Sequence, residues 1–199
     1  TGDNCILLFG GANQAISKHQ VDATLSCFDE GDFIVLQNEI NEMPYIIQKA
    51  HEKGMIIVLN PAPMNKKVSE MPLQLVDYLV VNEIEAAQLL ERTFSEEEDV
   101  VIADALVEKF PNTKIILTLG EKGSIYIEGK KRIIQEIYKT KVVDTTAAGD
   151  CFIGYFVAAI MQKKFVEEAM NLAAKASAIA VSKAGAAPSI PMMEEVLNH

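Results

Sequence analysis

Two aspartates, Asp144 and Asp150, enclose five small or hydroxylated residues in the stretch VVDTTAAGD. The pattern predicts a strand that ends at Val143 and a helix that begins near Ala148. A helix start leaves its first backbone N–H groups without partners, here those of Ala147, Ala148, Gly149 and Asp150. Together with the positive end of the helix dipole, such groups bind anions, and small side chains let a phosphate approach the backbone. The stretch therefore predicts a phosphate site.

Anion binding alone does not explain Asp150, because a negatively charged carboxylate repels a phosphate. Asp150 has a clear use if it takes a proton from a hydroxyl that attacks the phosphate. The alternative is structural: Asp150 is a first-turn acid that stabilises the helix, and Gly149 forms an ordinary tight turn. Neither the phosphate-binding pattern G-x-x-x-x-G-K-[ST] nor the dinucleotide pattern G-x-G-x-x-G occurs in the chain. Any phosphate chemistry in this chain therefore uses a different binding motif.

Three further segments could contribute to the same chemistry. Asn82 can cap the helix that follows it, and Glu85, one turn later, could reach a hydrated Mg²⁺. The segment TLGEKGS (118–124) is either a plain hairpin turn or a loop over a nucleotide. The segment ASAIAVSKAGAAPSIP (176–191) is either a closely packed helix with its C-cap, or a smooth wall for a purine followed by carbonyl oxygens for a monovalent cation.

The surrounding pattern alternates short β-rich runs with helical ones. Strands are predicted at 5–9, 33–37, 56–60, 78–82 and 114–120, with a hairpin over 124–137 that turns at Gly129. Helices are predicted at 21–28, 44–54, 83–91, 95–110 (capped by Ser95), 148–162 and 165–183. Such alternation indicates an α/β fold, a mostly parallel sheet with helices on both faces. Ligands then bind at the carboxyl ends of the strands.

The bulk properties exclude several classes of protein. With 199 residues, a net charge of −10 and 49% hydrophobic residues, we expect one domain over 1–199 and no nonspecific binding of nucleic acid. There is no apolar run long enough to span a membrane and no signal-peptide pattern. Three scattered cysteines (Cys5, Cys27, Cys151) read as reduced thiols. We expect a cytoplasmic protein with no membrane partner.

Taken together and in order, these segments resemble the ribokinase-type (PfkB) carbohydrate kinases. The family signature D-T-x-G/A-A-G-D is present as DTTAAGD, and the match extends to GGANQAIS (10–17), LQNEI (36–40), LNPAP (59–63), VVNEIEA (81–87), TLGEKGS and AVSKAGAAPSIP. The resemblance covers essentially the whole chain. It implies ATP-dependent phosphorylation of a sugar, with ribose converted to ribose 5-phosphate as the first candidate. Fructose, 2-keto-3-deoxygluconate, deoxyribose or a nucleoside are the alternative acceptors, and a nucleotide-binding remnant without activity is another.

The resemblance also implies a role for each matching residue. Asp150 would be the catalytic base and, with Glu39, would contact the sugar, while Ala147, Ala148 and Gly149 would form the anion hole. ATP would be contacted by Asn82, Thr118, Leu119, Gly120, Glu121, Lys122, Gly123, Gly149 and Ala174. Glu85 would organise Mg²⁺, through water. A potassium-type cation would lie among Asp144, Thr146, Ala180, Lys183, Gly185 and Ser189, several of them through backbone oxygens. Ala147 stands where many family members have glycine, a difference expected to matter little.

The resemblance implies that the chain corresponds to the C-terminal two-thirds of a sugar kinase. The N-terminal strands and lid, with most of the sugar-binding residues, would then be missing. We therefore expect this chain alone to bind sugar poorly or to be inactive, and its sheet to expose an apolar edge or face that favours self-association. The full-length protein is expected to be a homodimer.

Overall fold

The computed structural model describes residues 9–92 and 99–199. Six strands follow in chain order: β1 (Phe33–Gln37), β2 (Ile56–Asn60), β3 (Tyr78–Asn82), β4 (Lys114–Thr118), β5 (Ser124–Glu128) and β6 (Lys131–Gln135). The helices are α1 (Lys18–Leu25), α2 (Met43–Glu52), α3 (Glu83–Leu89), α4 (Asp99–Lys109), α5 (Ala148–Met161), α6 (Val166–Val181) and α7 (Met193–Asn198). The predicted strand at 5–9, apart from Phe9, and the predicted Ser95 cap lie outside the described residues.

The strands form one sheet in the order β1-β2-β3-β4-β5-β6. β1 pairs with β2, and β2 with β3, in parallel. β4, β5 and β6 pair antiparallel, and the β5–β6 connection turns at Gly129, as predicted. The α/β class expected from the alternating pattern is therefore confirmed, with an antiparallel meander at one end of the sheet.

The chain divides into two compact units, Thr1–Leu79 and Val80–His199. The expectation of a single domain over 1–199 stays a prediction.

In the first unit, helix α2 shows how an apolar stripe selects a helix. Its buried residues Met43, Ile46, Ile47 and Ala50 follow the i, i+3, i+4, i+7 spacing of one helix face. Gly54, the last residue of the predicted helix, forms its C-terminal cap: it has φ of 75° and donates its N–H to the His51 carbonyl. Met55 N–H reaches back to the Ala50 carbonyl, and the two bonds together form a Schellman ending. The chain is thereby turned directly into β2.

In the second unit, the long helices α5 and α6 pack against each other. The buried side chains of α6 are mainly alanines, at positions 169, 173, 176, 178 and 180. Alanine has no side chain beyond Cβ, so the two helix backbones can approach closely. Ser177 of α6 donates its hydroxyl to the Ala148 carbonyl at 3.1 Å, and this bond fixes α6 against the first turn of α5. The small residues predicted for this helix therefore form the surface of α6 that packs against α5. Helix α5 begins within the DTTAAGD loop (144–150).

Both terminal strands of the sheet carry exposed apolar side chains. Val35 of β1 is 51% exposed and Ile134 of β6 is 71% exposed. Within the described parts of the chain, β1 and β6 are the outer strands, and outer strands can template pairing with another chain. The expected self-association stays a prediction. None of the helices that the structure describes has the length and apolar character needed to cross a membrane.

Candidate functional site

Within the DTTAAGD loop, the left-handed residue Ala147 immediately precedes helix α5. The strand predicted to end at Val143 is wrong, because residues 136–143 form no strand. Ala147 has φ of 62° and ψ of 10° and is the N-cap residue. The Cys151 N–H donates to the Ala147 carbonyl at 2.9 Å, and this is the first hydrogen bond of the helix. The expectation of four unpaired N–H groups is wrong for Ala148, whose N–H donates to the Thr145 carbonyl at 3.3 Å. That bond is long, so an anion could displace it at small cost.

Asp150 lies in the first turn of α5, and its side chain is exposed. The next residue, Cys151, is buried, and burial, followed by the nearby Asp150 charge, raises the pKa of its thiol to about 11. The thiol therefore stays neutral at physiological pH and is unsuited to act as a nucleophile. Asp150 is the acid that the helix start presents to solvent, which agrees with both readings of its role, base and helix stabiliser.

Asp144 fixes the beginning of the loop. One of its carboxylate oxygens accepts the Thr146 N–H and the other the Gly185 N–H, both at 2.9 Å. Hydrogen bonds from the Thr146 side chain and backbone, and from the Gly185 backbone, hold the pKa of Asp144 below its usual value. The carboxylate is thus charged, and it joins the DTTAAGD loop to the segment that follows α6.

The segment after α6, residues 182–192, carries most of the other residues predicted to bind a monovalent cation. Gly185 has φ of 89°, Ser189 is fully buried and donates its hydroxyl to the Ala186 carbonyl, and Ala180 is buried at the end of α6. The Lys183 ammonium instead contacts both carboxylate oxygens of Glu195, at 2.7 and 2.9 Å. Lys183 can therefore serve a cation through its carbonyl oxygen.

These residues fit a hard monovalent cation, because the donors they offer are carboxylate, hydroxyl and backbone carbonyl oxygens. Among the residues that the structure describes, no group of three His, Cys, Asp or Glu side chains is arranged to hold a metal ion. Mg²⁺ in nucleotide sites is commonly held by one or two carboxylates together with the phosphates, so an all-protein cluster is not required.

Asn82 and Glu85 form a reciprocal capping box at the start of α3. The Asn82 side-chain oxygen accepts Glu85 N–H at 2.8 Å, and a Glu85 carboxylate oxygen accepts Asn82 N–H at 3.0 Å. The capping role considered for Asn82 is confirmed, and Glu85 shares it. The amide NH₂ of Asn82, a donor group, takes no part in the capping box.

The predicted nucleotide loop is a short 3₁₀ turn, Gly120–Lys122, between β4 and β5. A hydrogen bond from the Leu119 N–H to the Gly123 carbonyl, with a length of 2.8 Å, closes the turn. Leu119 is buried, whereas Gly120, Glu121 and Lys122 are exposed. Thr118 lies half-buried at the end of β4, where its hydroxyl is 3.5 Å from the Val81 carbonyl of β3. The turn therefore follows the carboxyl end of its strand, as Asn82 does. Ala174 lies half-buried on α6.

In the first unit, hydrogen bonds connect the other segments that carry the resemblance. Asn38 donates its side-chain amide to the Pro63 carbonyl at 2.7 Å, joining LQNEI to LNPAP. Gln14 of GGANQAIS donates to the Glu39 carbonyl at 2.9 Å. The Glu39 side chain is exposed, and its neighbour Asn41 holds Ile16 through both backbone groups. Glu39 therefore lies in a turn that these hydrogen bonds hold in place.

Sequence reasoning missed the helix α7 and the two side chains that anchor the segment before it. Tyr155 of α5 donates its hydroxyl to the Pro191 carbonyl at 2.7 Å, and Glu195 of α7 holds Lys183. A signal for α7 was present, since Pro191 precedes MEEVLN with two acids in its first turn.

Comparison with known proteins shows the class to which this fold and site belong. Residues 1–193 match the pfkB family carbohydrate kinases, and the chain belongs to that family. It is 34% identical over 202 residues to ribokinase of Haemophilus influenzae, covering all of this chain and 65% of that protein. It is 31% identical over 195 residues to deoxyribokinase of Salmonella typhi, covering 96% of this chain and 63% of that protein.

Solved structures of ribokinases are also similar to this chain over nearly its whole length. Ribokinase of Arabidopsis thaliana, complexed with ribose and ATP, is 29% identical with a TM-score of 0.81, over 99% of this chain and 65% of that one. Ribokinase of Cryptococcus neoformans, in complex with ADP, is 30% identical with a TM-score of 0.85, over 99% of this chain and 67% of that one. The chain thus spans about two thirds of the length of these ribokinases.

Proposed function

We propose that this chain carries the phosphoryl-transfer machinery of an ATP-dependent sugar kinase of the cytoplasm, with ribose as acceptor and ribose 5-phosphate as product. One observation carries the proposal: the exposed Asp150 carboxylate stands in the first turn of α5, directly after the small residues of the DTTAAGD loop. This position supports the role of Asp150 as a proton acceptor beside a stretch of backbone that a phosphate can approach. The family membership and the ribose and ATP bound by the Arabidopsis relative support the same reaction.

In the proposed reaction the sugar hydroxyl attacks the γ-phosphorus of ATP in line. A new O–P bond forms, the bond to the β-phosphate oxygen breaks, and ADP leaves. Asp150 takes the proton of the attacking hydroxyl. The backbone of Ala147, Ala148 and Gly149 faces the negative charge of the transferring group, with the Ala148 N–H exchanging its long bond to Thr145 for one to the phosphoryl group. Mg²⁺, when bound with the nucleotide, neutralises phosphate charge.

The remaining assignments follow from position. Asn82 directs its amide donor toward the phosphates, and the 118–123 turn with Ala174 of α6 contacts the nucleotide. Glu85, through a water, is assigned to Mg²⁺. The oxygens of Asp144, Thr146, Ala180, Lys183, Gly185 and Ser189 are assigned to a monovalent cation such as K⁺, which would brace the DTTAAGD loop. Glu39 is assigned to the sugar, and the whole protein is proposed to be a homodimer.

Replacement of Asp150 tests the proposal in the complete gene product that contains this chain. Asp150→Asn keeps the shape of the side chain but cannot accept the proton, so kcat should fall about 10²- to 10⁴-fold, with ATP affinity within about threefold. Glu194→Gln is the matched control, because it removes a first-turn acid from α7 and should keep wild-type kcat. An Asp150→Asn enzyme with wild-type kcat would show that Asp150 only stabilises the helix.

The deoxyribokinase relative favours a second candidate acceptor, deoxyribose. The acceptor is tested with a panel of ribose, deoxyribose, fructose, 2-keto-3-deoxygluconate and nucleosides, comparing kcat/KM for each. A higher kcat/KM for deoxyribose than for ribose would replace the proposed substrate and keep the chemistry. Stabilisation of the protein by ATP, with no acceptor stimulating ADP release, would identify a nucleotide-binding protein without kinase activity.

A further inference from the structure

The segment 182–192 is attached to its surroundings at three separate points. Asp144 of the DTTAAGD loop holds Gly185 N–H at 2.9 Å. Glu195 of α7 holds the Lys183 ammonium through both carboxylate oxygens. Tyr155 of α5 holds the Pro191 carbonyl at 2.7 Å.

The first attachment uses Asp144 of the DTTAAGD loop. In the other two, the anchoring side chains, Glu195 and Tyr155, lie outside every motif that carries the family resemblance. Gly185 and Ser189, two of the residues assigned to the cation, lie between the attachment points Lys183 and Pro191. Tyr155 is five residues after Asp150 on the same helix, so its bond connects the segment directly to the helix that presents the proposed base. The Tyr155 ring is half-buried, and desolvation raises its pKa, so the hydroxyl keeps its proton and remains a donor.

We propose that Tyr155 and Glu195 are positioning residues that hold segment 182–192 in the conformation in which its backbone oxygens can bind a monovalent cation. The proposal rests on the cation assignment of the proposed function. Neither residue contacts the cation. Each fixes one end of the segment, Glu195 through the side chain of Lys183 and Tyr155 through the backbone of Pro191. Without them the donor oxygens must be ordered at the expense of binding energy, and cation affinity falls.

Two variants and two matched controls test this. Glu195→Gln removes the charge that pairs with Lys183, and Glu194→Gln makes the same change one residue earlier in the same turn of α7. Tyr155→Phe removes the hydroxyl that reaches Pro191, and Tyr138→Phe removes a hydroxyl that instead donates to Asn171 at 2.5 Å. All four are made in the complete gene product.

The first readout is the K⁺ concentration at half-maximal thermal stabilisation of the ATP-bound protein, at ionic strength held constant with choline chloride. We expect it to rise about twofold to fivefold in Glu195→Gln, the range of one partly exposed ion pair. In Tyr155→Phe the loss of one hydrogen bond should raise it about twofold to tenfold. The controls should match the wild type. Half-maximal concentrations that are equal in all five proteins, or no response to K⁺ in the wild type, would overturn the proposal.

The second readout does not depend on the cation. Amide hydrogen exchange in segment 182–192 should be faster in Glu195→Gln and Tyr155→Phe than in the controls, because an attachment has been removed. Unchanged exchange in both variants would also overturn the proposal. The proposed kinase function is assessed separately by ATP binding and ADP release in the wild type. The kinase proposal stands if the wild type still binds ATP and releases ADP, even when the K⁺ and hydrogen-exchange results are negative.

Discussion

The Asp144 carboxylate accepts a hydrogen bond from the Gly185 N–H, 41 residues further along the chain, while its other oxygen holds Thr146 N–H. A single side chain therefore connects the beginning of the DTTAAGD loop with the segment after α6. Both bonds require the ionised, acceptor-only form of the carboxylate. The connection thus depends on the charge state of one group.

Stability should respond to pH through Asp144. Because its folded-state pKa is below the unfolded value, its contribution is fully present above about pH 5 and is lost as pH falls below about 3.9, through the folded pKa. Asp144→Asn places an amide donor where one N–H needs an acceptor, so the variant should melt at a lower temperature at pH 7. The difference in melting temperature between the two proteins should shrink as pH falls below about 3.9. A difference that is constant from pH 7 to pH 3 would contradict this account.

The left-handed Ala147 predicts a stabilising substitution. A left-handed backbone crowds Cβ at a cost of about 1–2 kcal/mol, which glycine avoids, although glycine gives a more flexible unfolded chain. Ala147→Gly should therefore raise the free energy of unfolding by about 0.5–1 kcal/mol, measured by urea denaturation. The control Ala158→Gly, in the interior of α5, should lower it by about 1 kcal/mol. Destabilisation by Ala147→Gly would show that its left-handed conformation carries no strain.

Two glycines in the 118–124 turn should differ in their tolerance of a methyl group. A Cβ at Gly123, where φ is 96°, would lie 2.2 Å from the Gln135 backbone oxygen, whereas a Cβ at Gly120 would meet nothing within 4 Å. Gly123→Ala should lower the free energy of unfolding by about 3 kcal/mol or more. Gly120→Ala should cost about 1 kcal/mol, for its positive φ alone. Equal melting temperatures for the two variants would refute the predicted clash.

The capping box allows two roles of Glu85 to be separated. Glutamine can replace glutamate at this capping position, so Glu85→Gln should keep the stability of α3 within about 0.5 kcal/mol. Glu85→Ala and Asn82→Ala should each lower it by about 1 kcal/mol. If Glu85 also serves Mg²⁺, Glu85→Gln should weaken the Mg²⁺ dependence of ATP binding, measured by calorimetry, without lowering the melting temperature. An unchanged Mg²⁺ dependence would leave Glu85 with the capping role alone.

The local parts of the fold could be predicted from the sequence. β1, β2 and β3 occupy the predicted residues, because apolar runs of five bounded by turn residues leave little choice. Helix α2 and its Gly54 ending follow from an apolar stripe and a glycine. The capping oxygen of Asn82 was likewise readable from residue type and position.

What could not be predicted depends on distant partners or on unusual backbone. Gly149 was considered as the tight-turn residue, but the left-handed residue is Ala147, which has no local preference for that conformation. The Tyr155–Pro191 bond joins residues far apart in sequence, and hydrophobic periodicity carries no information about such a pair. The proximity of Asp144 and Gly185 was expected only from the family resemblance, not from the residues alone. Ala148 was expected to have an unpaired N–H, and only the folded loop brings the Thr145 carbonyl within 3.3 Å of it.

The division of the chain at Leu79 also separates Glu39, which is assigned to the sugar together with Asp150, from the residues assigned to nucleotide and cation. Every proposed phosphate, nucleotide and cation residue, from Asn82 to Ser189, belongs to the second compact unit, and Glu39 belongs to the first. Acceptor choice could therefore diverge among relatives by sequence change upstream of Val80, with the reaction centre inherited intact. For protein engineering, chimaeras that exchange sugar preference between family members should therefore exchange the segment before β3, because residue 79 itself lies within that buried strand.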